Sequence, residues 1–107
     1  MKKKKLYHKL VRDRIPEIIQ REGKDFSFRQ VKGDELRQVA MRKLREEVVE
    51  FIENPCAEKA ADVVEILEFI CYRIGIHQRT VEAERNAKYV ERGGFDMGLI
   101  LEWVEEE

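Results

Sequence analysis

Leu36, Ala40, Leu44, Val48 and Phe51 recur every three or four residues, the spacing that lines one face of an α-helix. They predict a long helix over residues 35–53. Gly33-Asp34 marks a turn before it, with Asp34 as the N-cap, and Asn54-Pro55 stops it. A second long helix is predicted over residues 57–74, closed by Gly75. A third runs over residues 79–92, closed by Gly93-Gly94. Upstream, Pro16 suits the first turn of a short helix over residues 16–22, and Gly23 ends it. Residues 26–31 alternate apolar and polar, the strand period, and residues 99–104 read as a short strand that pairs with them. The pattern predicts a mainly all-α fold: a helical bundle of three longer helices plus a short N-terminal helix, with a small two-stranded β element. No repeat, linker or domain boundary interrupts it. One domain over residues 1–107 is expected, with residues 1–5 as a basic tail.

Carboxylates break the apolar pattern in an informative place. Successive helix residues turn by about 100°. With Leu44 at the centre of the buried face, Glu47 falls inside the apolar stripe and Glu50 on its border, while Glu46 and Glu53 point to solvent. An ionised Glu in a core stripe costs several kcal/mol unless it is paired or bound to metal. Glu47 therefore calls either for a cation from a neighbouring element or for a metal ion. On the next helix the apolar face is read as Ala60, Val63, Val64, Leu67, Ile70, Cys71 and Ile74. Glu58, Asp62 and Glu65 share the other side with Phe69, and Ile66 flanks them. That helix is apolar nearly all round, which fits the centre of a bundle or of a dimer.

Composition narrows the classes. Apolar residues make up 43% of the chain, enough for a small core, and 40% are charged, which suits exposed helix faces and oligomers. No apolar run approaches the ~18 residues of a membrane span. The lysines at the start lead into no apolar segment, so no signal peptide is expected. Cys56 and Cys71 form no CxxC pair, which predicts reduced thiols and a cytoplasmic protein. Charge is lopsided: residues 1–45 carry 15 Lys and Arg against 6 acids, and residues 46–107 carry 6 against 16. Such halves suit a site where cations meet a phosphate and carboxylates hold a bridging metal. They equally suit subunit packing or solvated faces. Four lysines without interleaved aromatics are weak grounds for nucleic-acid binding, and the acidic second half argues against it.

Several motifs resemble one family. Glu46-Glu47-Val48-Val49-Glu50 has the pattern EExxE, and Glu58 to Asp62 has the pattern ExxxD. Together they look like the signature of the MazG-like all-α nucleoside triphosphate pyrophosphohydrolases. The segment Tyr7-His8-Lys9-Leu10-Val11-Arg12-Asp13-Arg14-Ile15-Pro16-Glu17-Ile18-Ile19 is similar to the YxKLVRDxIPEII opening of one small branch. Ala61-Asp62-Val63-Val64-Glu65-Ile66 resembles its ADVxEV helix, and Lys88-Tyr89-Val90-Glu91-Arg92-Gly93-Gly94-Phe95 its KxxERGGF ending. That branch is described as house-cleaning, or phosphoribosyl-ATP pyrophosphohydrolase-like.

The resemblance implies a helical homodimer or higher homo-oligomer with Mg²⁺ held by four carboxylates, Mn²⁺ being the alternative ion. An ExxE maps onto Glu47 and Glu50, and the aspartate of an ExxD onto Asp62. Lys59 stands where the partner glutamate belongs. Glu58 or Glu65 is the substitute, or Lys59 neutralises the acids. Glu46 or Glu65 accepts the proton of the attacking water. Lys9, Arg12, Lys88 and Arg92 are the expected phosphate-binding cations, with Asp13 orienting an arginine. The competing reading of Arg12-Asp13-Arg14 is an ion-pair knot that anchors the N-terminal segment. The implied reaction cleaves a nucleotide between its α- and β-phosphates, giving a monophosphate and pyrophosphate. The alternative is a relative with little or no activity that binds a nucleotide or a protein as a helical oligomer.

Overall fold

A computed structural model describes residues 3–106. The described residues form four helices: α1 (Ile15–Arg21), α2 (Gly33–Glu53), α3 (Ala57–Arg73) and α4 (Gln78–Arg92). The all-α expectation holds, and each end lies within two residues of the sequence reading. No helix among the described residues is long and apolar enough to cross a membrane.

The expected β element does not form. Residues 26–31 and 99–104 carry no regular structure, and no strand occurs among the described residues. Alternation supplies only one ribbon's faces. A strand also needs a neighbour, and a lone two-stranded pair is marginal in water. Instead Phe26 and Phe28 pack edge-to-face on each other, with ring centroids 5.1 Å apart. Arg29 holds Glu35 through both guanidinium nitrogens, one at 3.1 Å from Oε1, and so ties this loop to the start of α2.

The start of α2 also differs from the expected cap. Gly33 takes a positive φ of 61°, open to it because it lacks a Cβ, and the helix begins there with Lys32 at the N-cap position. Asp34 thus lies in the first turn beside Glu35, where their charges face the positive end of the helix dipole.

Asn54-Pro55 ends α2 and turns the chain back, so α2 and α3 form an antiparallel hairpin. Its core is small: Ala40, Ile66 and Ile70 are buried, with Leu10, Met41, Leu44 and Phe69 packed around them. Ala40 is small enough to let α3 approach closely. The face that α3 turns inward overlaps the expected one, at Ile70 and the half-buried Ala60, Val63 and Cys71, and is rotated from it towards Ile66 and Phe69. Ile66, Phe69 and Ile70 meet α2, while Val64, Leu67 and Ile74 remain largely exposed. Lys59 and Asp62 lie on the same inward line, Lys59 three residues before Asp62 and Asp62 four before Ile66. The acid-bearing side of α3 is therefore turned towards α2.

α4 touches α3 only and buries no residue. The radius of gyration is 19.2 Å and the molecule extends over 67 Å. A compact chain of this length has a radius of gyration of about 13 Å. The single chain is thus a hairpin with an arm.

Candidate functional site

Glu47, inside the apolar stripe of α2, is buried, with its side chain 7% exposed. Lys43, one turn earlier on the same helix, places Nζ 2.9 Å from Glu47 Oε1. The cation therefore comes from α2 itself, not from a neighbouring element. Spacing of i, i+4 was the available signal, although this order, Lys before Glu, is the weaker one. Glu47 Oε2 is buried with no hydrogen-bond partner. Leaving such an oxygen unsatisfied costs on the order of 1–3 kcal/mol.

Glu50 lies one turn on, half exposed at the edge of the hairpin. Lys59 Nζ approaches its Oε2 to 3.7 Å. That is close enough for charge attraction and too long for a good hydrogen bond. Asp62 sits lower in exposure, and Arg12 donates from Nη2 to its Oδ1 at 2.8 Å. Arg12 belongs to the segment before α1, and Leu10 of the same segment packs on the core. The ion pair and the apolar contact together hold that segment against the hairpin.

Three of the acids expected to bind metal thus each have a cation: Lys43 for Glu47, Lys59 for Glu50 and Arg12 for Asp62. Among the described residues, no three Asp, Glu, His or Cys side chains come together closely enough to hold one ion. In donor chemistry the hairpin suits Mg²⁺, which prefers carboxylate oxygens. The orphaned Glu47 Oε2 is one such oxygen, already desolvated. In arrangement, a single chain does not gather a cage.

The remaining expected residues are scattered. Glu46 is half-buried rather than solvent-facing. Glu58 and Glu65 are exposed and form no ion pair among the described residues. Lys9 lies with its Nζ 5.4 Å from the Tyr7 ring centroid, and Lys5 takes a similar place at 5.1 Å. Lys88 and Arg92 are exposed on α4, and neither forms an ion pair with the acids of the hairpin. Among the described residues Asp13 forms no ion pair with an arginine. Only Arg12, of the four expected phosphate-binding cations, is brought to an expected metal-binding acid.

One other pair is electrostatically distinct. The hydrogen bonds from Arg29 hold the Glu35 carboxyl below the usual carboxylate range, and the same bonds raise the Arg29 guanidinium. Both lie at the surface, away from Glu47.

Comparison with known protein families, with characterised proteins and with solved structures finds no match.

Proposed function

We propose that this chain is a Mg²⁺-dependent nucleotide pyrophosphohydrolase of the MazG-like kind, with Mn²⁺ as an alternative ion, working as a homodimer or larger homo-oligomer. Its substrate would be a nucleoside triphosphate, or a related compound such as phosphoribosyl-ATP, cleaved to a monophosphate and pyrophosphate. The observation that carries the reading is the Glu47 carboxylate, buried in a helical hairpin with one oxygen unpartnered. A purely structural α2 has no use for it, since a buried charge with half its hydrogen bonds unmade is destabilising.

Glu47, Glu50 and Asp62 would hold the metal, with Glu58 or Glu65 as the fourth donor. A bound Mg²⁺ would neutralise phosphate charge and acidify the attacking water. The chain's own groups would do the rest. Arg12 is anchored beside Asp62 with half its side chain in solvent, so its remaining N–H groups are free to meet a phosphate oxygen. Glu46 or Glu65 would take the proton of the water. Lys9, Lys88 and Arg92 would reach the polyphosphate only if the assembled protein brings them to the hairpin.

The test is pyrophosphate release from a broad nucleotide panel with Mg²⁺ or Mn²⁺, beside Glu47→Gln. Turnover that needs the ion and vanishes in Glu47→Gln supports the proposal. Absence of release across the panel, or turnover retained in Glu47→Gln, overturns it.

A second reading has its own observation. The three cations already matched to the three acids suit a protein that has traded metal for ion pairs and acts as a helical binding oligomer. Titration calorimetry separates the two, since such an oligomer shows no Mg²⁺-linked heat.

A further inference from the structure

Every residue from 78 to 106 is exposed. α4 is 15 residues long and buries none of them, and an isolated helix of that length is marginal in water. Beyond it the chain runs without regular structure through Phe95, Leu99, Ile100, Leu101, Trp103 and Val104. Phe95 is 97% exposed and Trp103 80%. The whole chain presents 10777 Å² of accessible surface. A compact monomer of 12.8 kDa presents roughly 6,300 Å², some 4,500 Å² less. An obligate interface removes roughly 2,000–5,000 Å² or more summed over both partners, so assembly would cover a good part of this excess, and the exposed apolar residues of the arm belong to it.

The hairpin has a groove to receive it. The first turns of α2 and the last turns of α3 enclose about 290 Å³, lined by Leu36, Ala40, Phe69, Ile70 and Ile74. Arg37 and Arg73 also line it, are exposed, and form no ion pair among the described residues. The end of the chain has the opposite character: Leu101 and Trp103 among Glu102, Glu105 and Glu106. An apolar groove with two unpaired arginines faces the needs of an apolar segment laced with glutamates.

We infer that the C-terminal arm of one copy docks in the α2–α3 groove of a second copy, and that the exchange is reciprocal. Trp103 enters the groove, and the glutamates beside it meet Arg37 and Arg73. A second copy is the occupant because α4, about 22 Å long, carries the tail away from its own hairpin and contacts only α3. Reciprocal exchange closes under two-fold symmetry and leaves no open end. The inference rests on the assembly part of the proposed function and is independent of its hydrolase part.

Trp103 is the sole tryptophan, so its emission reports the arm without a label. The test uses the full chain, with light scattering for mass and Trp103 emission across a dilution series. Wild-type protein should be a dimer with blue-shifted emission that turns red as dilution dissociates it. Two charge-reversed variants follow: Arg37→Glu with Arg73→Glu in the groove, and Glu102→Lys with Glu105→Lys in the arm. Each alone sets like charges against each other across the exchange, and its dissociation constant should rise roughly 100-fold or more. Mixed in equal amounts, the two variants pair opposite charges at both grooves, and the dimer and the blue shift should return. Recovery on mixing also shows that each variant folds. A dimer whose Trp103 emission is that of free solvent overturns the arm exchange and leaves assembly standing. Variants that stay dimeric and blue-shifted overturn the groove as its place. Failure of the mixture to recover, with helix content intact by circular dichroism, puts the arm elsewhere or on its own chain. A wild-type monomer at all concentrations overturns both the exchange and the assembly.

Discussion

The Arg12 guanidinium lies 2.8 Å from Asp62 Oδ1, across 50 residues of sequence, and joins the segment before α1 to α3. The segment is tied down through Arg12 and Asp62, not through a knot of Arg12, Asp13 and Arg14, and the phosphate-binding reading stays available to the unpaired N–H groups of Arg12. The two roles are separable. As an exposed ion pair it should contribute only about 0.2–1 kcal/mol. Arg12→Ala and Asp62→Asn, combined in a double-mutant cycle under urea, should give a coupling in that range. A coupling well above it would mark a structural lock. If the hydrolase proposal holds, Arg12→Ala should also raise KM while Tm stays nearly unchanged.

Glu47 sets stability against function. Replacing a buried, half-satisfied charge by an apolar side chain of similar size is often stabilising, by about 1–4 kcal/mol where a buried pair is removed. Glu47→Met should therefore raise the midpoint of urea unfolding, with Lys43 swinging out to solvent. The same variant should show no pyrophosphate release. A lowered midpoint would mean that the carboxylate stabilises the hairpin and is not held in reserve for a ligand.

The core is small enough that single changes should tell. Ile70→Ala empties a space between α2 and α3 and should cost about 2–4 kcal/mol. Ala40→Leu adds bulk at the most buried position of the core and should cost about 1–3 kcal/mol. Equilibrium unfolding checks both. A near-neutral Ala40→Leu would show that the two helices have room to separate there.

The Arg29–Glu35 pair gives the loop over residues 24–32 an acid limit. The carboxyl is held low in the folded chain, so its contribution is fully present above the unfolded Glu value. It is lost as pH falls through the lower folded value. A carboxyl-detected NMR titration should place the Glu35 midpoint below those of the exposed glutamates. In Arg29→Ala it should return to the ordinary range. An unchanged midpoint in that variant would assign the shift to another group.

Lys59 offers a gain of function. It stands three residues before Asp62 and draws on Glu50 at 3.7 Å. Lys59→Glu removes that cation and adds a carboxylate on the line that faces α2. Under the hydrolase proposal Mg²⁺ affinity should rise by calorimetry, and release should speed up if metal occupancy is limiting. No change in Mg²⁺-linked heat would favour the binding-oligomer reading.

Local rules carried the helix boundaries. Pro16, Gly23, Asn54-Pro55, Gly75 and Gly93 punctuate the chain, and each acts through its own backbone or its nearest neighbours. Four helices follow, with ends close to the expected places. The same reasoning failed for residues 26–31 and 99–104, since pairing depends on a partner strand that a short pattern does not guarantee. The oddity of Glu47 was legible because a 100° step compares positions within one helix. The rotation of α3 was not. Its wheel carries apolar side chains nearly all round, and nothing inside one helix says which of them a neighbour will take.

By itself the sequence determined a mainly helical chain, the ends of its helices and the misplacement of Glu47, because those properties are set within a few residues. Tertiary structure alone decided that Ile66 and Phe69 join Ile70 in facing α2, and with them Lys59 and Asp62. It alone decided that Lys43, Lys59 and Arg12 each pair with one acid, and that Glu47 Oε2 has no partner. Those outcomes depend on how two helices rotate and how far a distant segment reaches, which are properties of packed surfaces and not of any one stretch of chain.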